Sequence, residues 1–230
     1  VFRRPVLFSQ EGAMSEQAQS VTADRSVLKG AHVRLEPLGR HHVAGLVAAA
    51  AQDRALYEWS MVPQGTAETV YYVDSALAER QAGNALPFAT VRVADGAVLG
   101  STRFFLLERW AWPAGQTDAR RCAVDGCEIG YTWLGAAAVR TAANTECKLL
   151  MLTHAFESWG VQRVCFHTDA RNERSRNALA RIGAVFEGVL RAHRLGVDLK
   201  PRDSARYSIV AAEWPGVKRR LQGFLAAPAK

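Results

Sequence analysis

From residue 127 to residue 182 the chain alternates strand, helix, strand and helix, and that order limits the folds open to it. Cys127 to Leu134 reads as a strand. Asn144 to Trp159 reads as a helix, with Leu149, Leu150, Leu152, Phe156 and Trp159 on its buried side. Arg163 to Thr168 reads as a buried strand. The next helix runs from Asn172 to Ile182, with Asn172 as N-cap and Gly183 as its C′ residue. A late strand, Arg206 to Val210, follows a turn near Asp203. Upstream, Val33 to Leu38 alternates like a strand, and helices are expected near His41 to Ala51 and from Thr66 to about Ala82. Strands at Phe88 to Val93 and Val98 to Leu107 flank the tight turn Asp95-Gly96, a hairpin. Strands first, then β-α-β-α-β, argue for one α/β (α+β) domain with a mixed sheet.

Composition agrees. Apolar residues make up 49% and charged residues 22% of 230 residues, which excludes a wholly disordered or fibrous chain. No apolar run reaches the roughly 20 residues a membrane helix needs, so no membrane partner is expected. Arg3 and Arg4 have no apolar core behind them, so the start is not read as a signal peptide. The expected domain is 27–225, with flexible tails at 1–26 and 226–230; Met14 is a candidate start. The four cysteines (Cys122, Cys127, Cys147, Cys165) form no C-x-x-C pair, which fits reduced thiols and a cytoplasmic location. No His/Cys pair has metal spacing, so no metal is expected. The net charge of +7 is uneven: residues 160–230 carry 14 basic and 6 acidic side chains. A basic face attracts an anionic partner, though a solvated surface is equally consistent.

Two segments carry chemistry. The strand Cys127–Leu134 leads through small residues, Gly135 to Ala143, into a helix opening at Asn144-Thr145. A helix N-terminus offers unpaired N–H groups and a positive dipole end, and small side chains let a phosphate approach the backbone. Arg140 could add a charge-assisted contact. An ordinary β–α connection has the same pattern. The second segment is Thr168 to Leu179, where Asn172 caps the helix and Ser175 falls in its first turn.

These segments together resemble the GNAT superfamily of acyl-CoA-dependent N-acetyltransferases, its RimJ/RimL-like branch in particular. The resemblance spans Val33 to Leu221. It rests on Val33-Arg34-Leu35-Glu36-Pro37-Leu38, Glu128-Ile129-Gly130-Tyr131, Asn144-Thr145-Glu146, Lys148-Leu149-Leu150, Asn172-Glu173-Arg174-Ser175, Ile182-Gly183-Ala184, Glu187-Gly188, Leu190-Arg191 and Arg202-Asp203-Ser204. It implies a largely antiparallel sheet splayed between two central parallel strands, flanked by helices. Acetyl-CoA, the cosubstrate, would lie in that gap, against Thr132, Trp133, Leu134, Arg140, Thr141, Ala142, Ala143, Asn144, Thr145, Asn172 and Ser175. The family loop carries glycines, but Val139 to Thr145 has none; alanine can make the turn if φ stays negative.

Acetyl transfer needs a neutral amine, an oxyanion site and a proton for the departing thiolate. The resemblance implies Glu128 as the group that takes the amine proton, directly or through water. Many members protonate the thiolate with a tyrosine; Leu179 stands at that position, and Ser175 matches the branch's serine. A backbone N–H of the Glu128–Leu134 strand would polarise the thioester. Tyr57, Trp59, Glu128 and Tyr207 are candidates to border the amine acceptor, a protein N-terminus or small molecule. Asp53, Glu58, Glu68 and Asp74 hint at an acidic rim. His167 falls opposite Val164 and Phe166 and reads as packing. Tyr131 and Trp133 alternate with Ile129 and read as core. The competing reading is a catalytically weak module that senses acyl-CoA or docks nucleic acid through the basic last third, although nucleic acid is not the expected partner. A homodimer through Trp110-Ala111-Trp112-Pro113 is compatible with either.

Overall fold

The computed structural model describes residue 21, residues 24–112 and residues 124–227. The strands are β1 (Leu28–Lys29), β2 (Val33–Pro37), β3 (Ala85–Arg92), β4 (Val98–Glu108), β5 (Gly126–Leu134), β6 (Arg163–Asp169), β7 (Val185–Leu195) and β8 (Pro201–Val210). The helices are α1 (Val43–Ala50), α2 (Gly65–Gln81), α3 (Ala143–Thr153), α4 (Glu173–Ile182) and α5 (Trp214–Ala226). All eight strands form one sheet in the order β1-β2-β3-β4-β5-β6-β8-β7. Every neighbouring pair is antiparallel except β5–β6.

Each face of the sheet buries its own core. On one side α1 and α2 cover Leu38, Leu46, Val73, Ala76, Ala89, Val91 and Trp133. On the other, α3, α4 and α5 cover Phe88, Phe104, Ile129, Met151, Val164, Phe166, Ile209 and Leu221. Period-2 alternation along β3 separates the two sets, with Leu86 and Phe88 on one face and Ala89 and Val91 on the other. Glu146 of α3 fastens the opening of the sheet: its carboxylate accepts from the N–H groups of Ala31, His32 and Val33 at 2.8, 2.7 and 2.7 Å.

Several sequence expectations change. The helix expected to reach Trp159 stays α-helical only to Thr153, then widens into one π turn, His154–Ser158. That turn seats the Trp159 ring 4.6 Å from Phe104 and 4.8 Å from His154. The turn expected near Asp203 lies instead at residues 196–200, where the Gly196 N–H donates to Lys200 O at 2.8 Å. Asp203 is inside β8 and accepts from the Ala192 N–H of β7 at 2.8 Å. Strand β7 escaped the pattern because it is outermost, with Val185, Phe186 and Val189 exposed. Two register shifts also break its alternation. The expected tail of 1–26 is corrected at its end: Val21 is in the core. The Arg80 guanidinium also holds the Asp24 carbonyl. Residues 1–20, 22–23 and 228–230 lie outside the described residues, and with them Met14. So do Pro113 and Cys122, with the rest of residues 113–123. Trp110 and Trp112 are pinned by Asp125, which accepts from the Trp110 N–H and the Trp112 Nε1–H at 2.9 Å each.

Candidate active site

The parallel pair β5–β6 stays together for only three registered positions, the last Glu128 opposite Cys165. Beyond them β5 continues to Leu134 and β6 to Asp169 without pairing, so the sheet opens into a wedge. A bulge helps to open it. Ser101 faces Trp133 but Arg103 faces Gly130, which gives β5 one extra residue. Tyr131 takes the strain, with φ of 50. The bulge also corrects the expectation that Ile129, Tyr131 and Trp133 share a core face. Ile129 packs under α3. Trp133 packs on the α1–α2 side, and Tyr131 is exposed.

A helix begins beyond each arm of the wedge. After β5, Gly135 lets the chain pass α1: a Cβ there would lie 2.6 Å from the Ala49 carbonyl oxygen. The loop then turns at Arg140, with φ of 61, while Ala142 keeps a helical φ of -63. The glycine-free turn therefore places its one left-handed residue at an arginine. Thr141 Oγ1 donates to Ala138 O at 2.8 Å and accepts from the Ala143 N–H at 3.2 Å. The start of α3 is tied to α4 by Arg181, which donates to Thr145 Oγ1 at 2.8 Å. After β6, Asn172 caps α4 by accepting from the Ser175 N–H at 3.0 Å. Ser175 is half-buried in that first turn, and Leu179 is buried. Arg140, Thr141, Ala142, Ala143, Asn144 and Thr145 thus surround one helix start, and Asn172 and Ser175 form the other.

Lys148 of α3 lies buried at the base of the wedge. Its Nζ donates to Thr132 Oγ1 at 3.1 Å, and Thr132 Oγ1 is 2.8 Å from Thr102 Oγ1. Burial pulls the ammonium down to about 8.

Glu128 is on the opposite face, only 2% exposed. Arg194 of β7 donates to both of its oxygens, at 3.0 and 2.7 Å. His167 Nδ1 sits 2.9 Å from Glu128 Oε2, though not aligned for a hydrogen bond. The His193 ring lies 4.8 Å from that of His167. Burial pushes the Glu128 carboxyl up. His167 and Arg194 outweigh it and hold the group below the ordinary carboxylate range.

The family description "Acetyltransferase (GNAT) domain" matches residues 32–185. This chain belongs to the GNAT acetyltransferase family. It is therefore an acyltransferase. It is similar to a GCN5-related N-acetyltransferase from Brucella melitensis, at 30% identity and a TM-score of 0.72, over 88% of this chain and 86% of that one. It shares its fold with Mycobacterium smegmatis RimJ in complex with CoA-disulfide (24% identity, TM-score 0.67, 86% and 91% covered). The same holds for a ribosomal-protein-S5-alanine acetyltransferase from Vibrio fischeri (14%, TM-score 0.62, 82% and 98%). No match was found among curated proteins.

In this GNAT fold a groove of about 770 Å³ runs between α2 and the bulge, on the Glu128 side of the sheet. Met61, Val62, Pro63 and Phe105 make it apolar, Tyr71, Tyr72 and Tyr131 add aromatic walls, and Glu68 and Glu79 sit on α2. Three acceptor-site expectations change. Tyr57 is buried core: its ring packs 6.1 Å from Trp133 and its hydroxyl is 3.4 Å from Ala49 O and Leu134 O. Trp59 stacks on the Arg171 guanidinium, 4.4 Å away, beside the start of α4. Tyr207 pairs with Phe166 and so faces α4, away from Glu128. It lines a separate recess of about 250 Å³ with Glu173, Arg176, Asn177 and Ala180. Of the acidic hints, Glu68 reaches the groove. Asp74 is paired with Arg40 at 2.8 Å, and Asp53 caps the Ala55 N–H at 3.0 Å.

Arg194 and Arg103 were not singled out from sequence, and His167 was read as packing, whereas its Nδ1 lies 2.9 Å from Glu128. His167 carried a signal, since its alternation put it on the face opposite Phe166, where Glu128 also lies. Arg194 carried none, because β7 itself was not legible. Among the described residues, Glu36, His41 and His42 are close enough to share an ion. Both His42 nitrogens are already engaged, Nδ1 by the Gly39 N–H at 3.1 Å and Nε2 by Glu36 at 3.0 Å.

Proposed function

We propose that this GNAT enzyme moves an acetyl group from acetyl-CoA to a primary amine by direct transfer in a ternary complex, as a RimJ/RimL-like member working in the cytoplasm. The observation that carries the reading is the wedge itself: two parallel strands diverge at a bulge, and a helix N-terminus faces the end of each. The pyrophosphate sits at the start of α3, against Arg140 to Thr145, where N–H groups and the helix dipole favour an anion. The pantetheine arm runs into the wedge along Thr132, Trp133 and Leu134. A backbone N–H beyond the bulge polarises the thioester carbonyl.

The amine enters from the opposite face, along the α2 groove. Glu128 is ionised through neutral pH. It draws in the ammonium and accepts its proton, directly or through a water. Arg194 leaves it lone pairs for this, since each carboxylate oxygen has two acceptor sites. The nitrogen attacks the thioester carbonyl, the C–S bond breaks, and Ser175 Oγ–H passes its proton to the departing thiolate; the acylated nitrogen releases its extra proton and Ser175 regains one from solvent.

The charge distribution supports an enzyme over a nucleic-acid binder. Five of the fourteen basic side chains in the last third already face a carboxylate: Arg163 and Arg206 share Glu187, Arg171 has Asp169, Arg194 has Glu128 and Lys218 has Glu157. The test is thiol release from acetyl-CoA with a panel of amines and N-terminal peptides, with product masses recorded. Amine-dependent release and an acetylated product are expected. Saturable acetyl-CoA binding without turnover on any amine would favour the acyl-CoA-sensing module instead.

A further inference from the structure

We infer that the acceptor carries an anionic group besides its amine, and that Arg103 is the residue that binds it; this rests on the acetyltransfer reading above. Arg103 lies in the floor of the α2 groove and is only 5% exposed. Its guanidinium is 4.0 Å from the centre of the Tyr131 ring and 5.1 Å from that of Tyr72. Its Nε is buried with no hydrogen-bond partner, and among the described residues no carboxylate comes within ion-pair distance. Other arginines of the sheet and its loops have carboxylate partners: Arg194 has Glu128, Arg171 has Asp169, and Arg163 has Glu187; Arg103 differs from the unpaired ones in facing the groove.

A buried, permanently charged guanidinium without a counter-ion is costly, and two ring faces offset only part of that cost. The missing partner is a group with paired oxygens, which matches the guanidinium fork. The groove connects this charge to the reacting centre. Arg103 is opposite Gly130, and Phe105 is opposite Glu128, two positions along the same ladder. The rings of Tyr131 and Phe105, 5.1 Å apart, lie between the two charged ends. An acceptor filling this space has an amine at the Glu128 end, an apolar body over the rings, and a carboxylate or phosphate on Arg103. An amino acid whose amine and acid group are held apart by an apolar spacer has that order of groups; a simple alkylamine or a polyamine does not.

Two experiments separate this inference from the reading beneath it. The first measures kcat/KM for amines matched except for the anion, such as 4-(aminomethyl)phenylacetate against 4-methylbenzylamine. The wild type is expected to favour the carboxylated member by about tenfold or more, as a charge-assisted contact to a buried group implies. In Arg103→Met the ratio falls towards one, and in Arg103→Lys part of it returns. A ratio near one in the wild type would overturn the inference. So would an equal loss on both amines in Arg103→Met. The second needs no turnover: thermal shift with 3-phenylpropionate and with phenyl phosphate, neither of which has an amine. At least one is expected to stabilise the wild type and not Arg103→Met, and the better of the two names the anion. No stabilisation by either would contradict the inference even if acetyl transfer is demonstrated. Stabilisation without acetyl transfer on any amine would instead count against the enzymatic reading alone.

Discussion

Arg194 Nη1 and Nη2 grip the two oxygens of Glu128 from a strand three places away in the sheet, across β6 and β8. The pair ties the outer edge of the sheet to the wedge where β5 and β6 part. Together with His167 it also sets the charge state of Glu128, whose burial alone would favour the neutral acid.

Removing the arginine should therefore move the acid side of the pH–rate profile. In Arg194→Met one of the two groups that hold the Glu128 carboxyl down is gone while His167 stays, so the Glu128 pKa rises and the base is lost at a higher pH than in the wild type. The stability linkage has the matching sign. A carboxyl held below its unfolded value stabilises the fold above the unfolded pKa, and this is lost as pH falls through the folded value. Glu128→Gln should cost roughly 2–3 kcal/mol, because the Arg194 charge is left half-buried without a partner. Urea melts of both variants between pH 3 and 7, beside pH–rate profiles, test this.

Lys148 predicts stability at the other end of the pH scale. Its ammonium is pulled down to about 8 in the fold, while an unfolded lysine titrates near 10.4. Between these values the unfolded chain holds more protons, so this group makes stability rise with pH there. Lys148→Met should flatten that limb and raise stability near pH 7 by about 3 kcal/mol if Met packs without strain. The difference between wild-type and variant denaturation curves from pH 7 to 10.5 isolates the lysine from other titrating groups.

Ser175 separates capping from chemistry. The cap uses the Ser175 backbone N–H and the Asn172 side chain, so Ser175→Ala should change stability by less than about 0.5 kcal/mol. If the hydroxyl protonates the thiolate, kcat should fall by about 10²-fold or more. Melting temperature and steady-state thiol release decide it; full activity in the variant would remove Ser175 from the mechanism.

The parts of this site that sequence revealed are those built from local pattern. Asn172, Ser175 and Gly183 follow from capping chemistry, and Gly183 closes α4 with φ of 99. The helix start at residues 143–145 was legible in the same way, from a strand followed by small residues. What alternation could not show is the bulge, because one extra residue swaps the faces of everything after it: Tyr131 and Trp133 left the side of Ile129. Tyr207 was placed near the acceptor by its position in the chain, yet its register with Phe166 turns it to the α4 side. Arg194 and Arg103 act across strands, through partners far away in sequence, and no spacing rule encodes such contacts.

The central claim is that the α3 start binds the pyrophosphate of acetyl-CoA. Thermal denaturation in the presence of increasing acetyl-CoA tests it most directly, with wild type beside Asn144→Glu. The added carboxylate favours the helix start but repels the phosphate. A ligand bound only to the fold stabilises it by about 2.7 kcal/mol at a hundred times Kd. A saturable upward shift in the wild type that is lost in Asn144→Glu is the predicted result. An equal shift in both proteins, or none at millimolar acetyl-CoA, would contradict it.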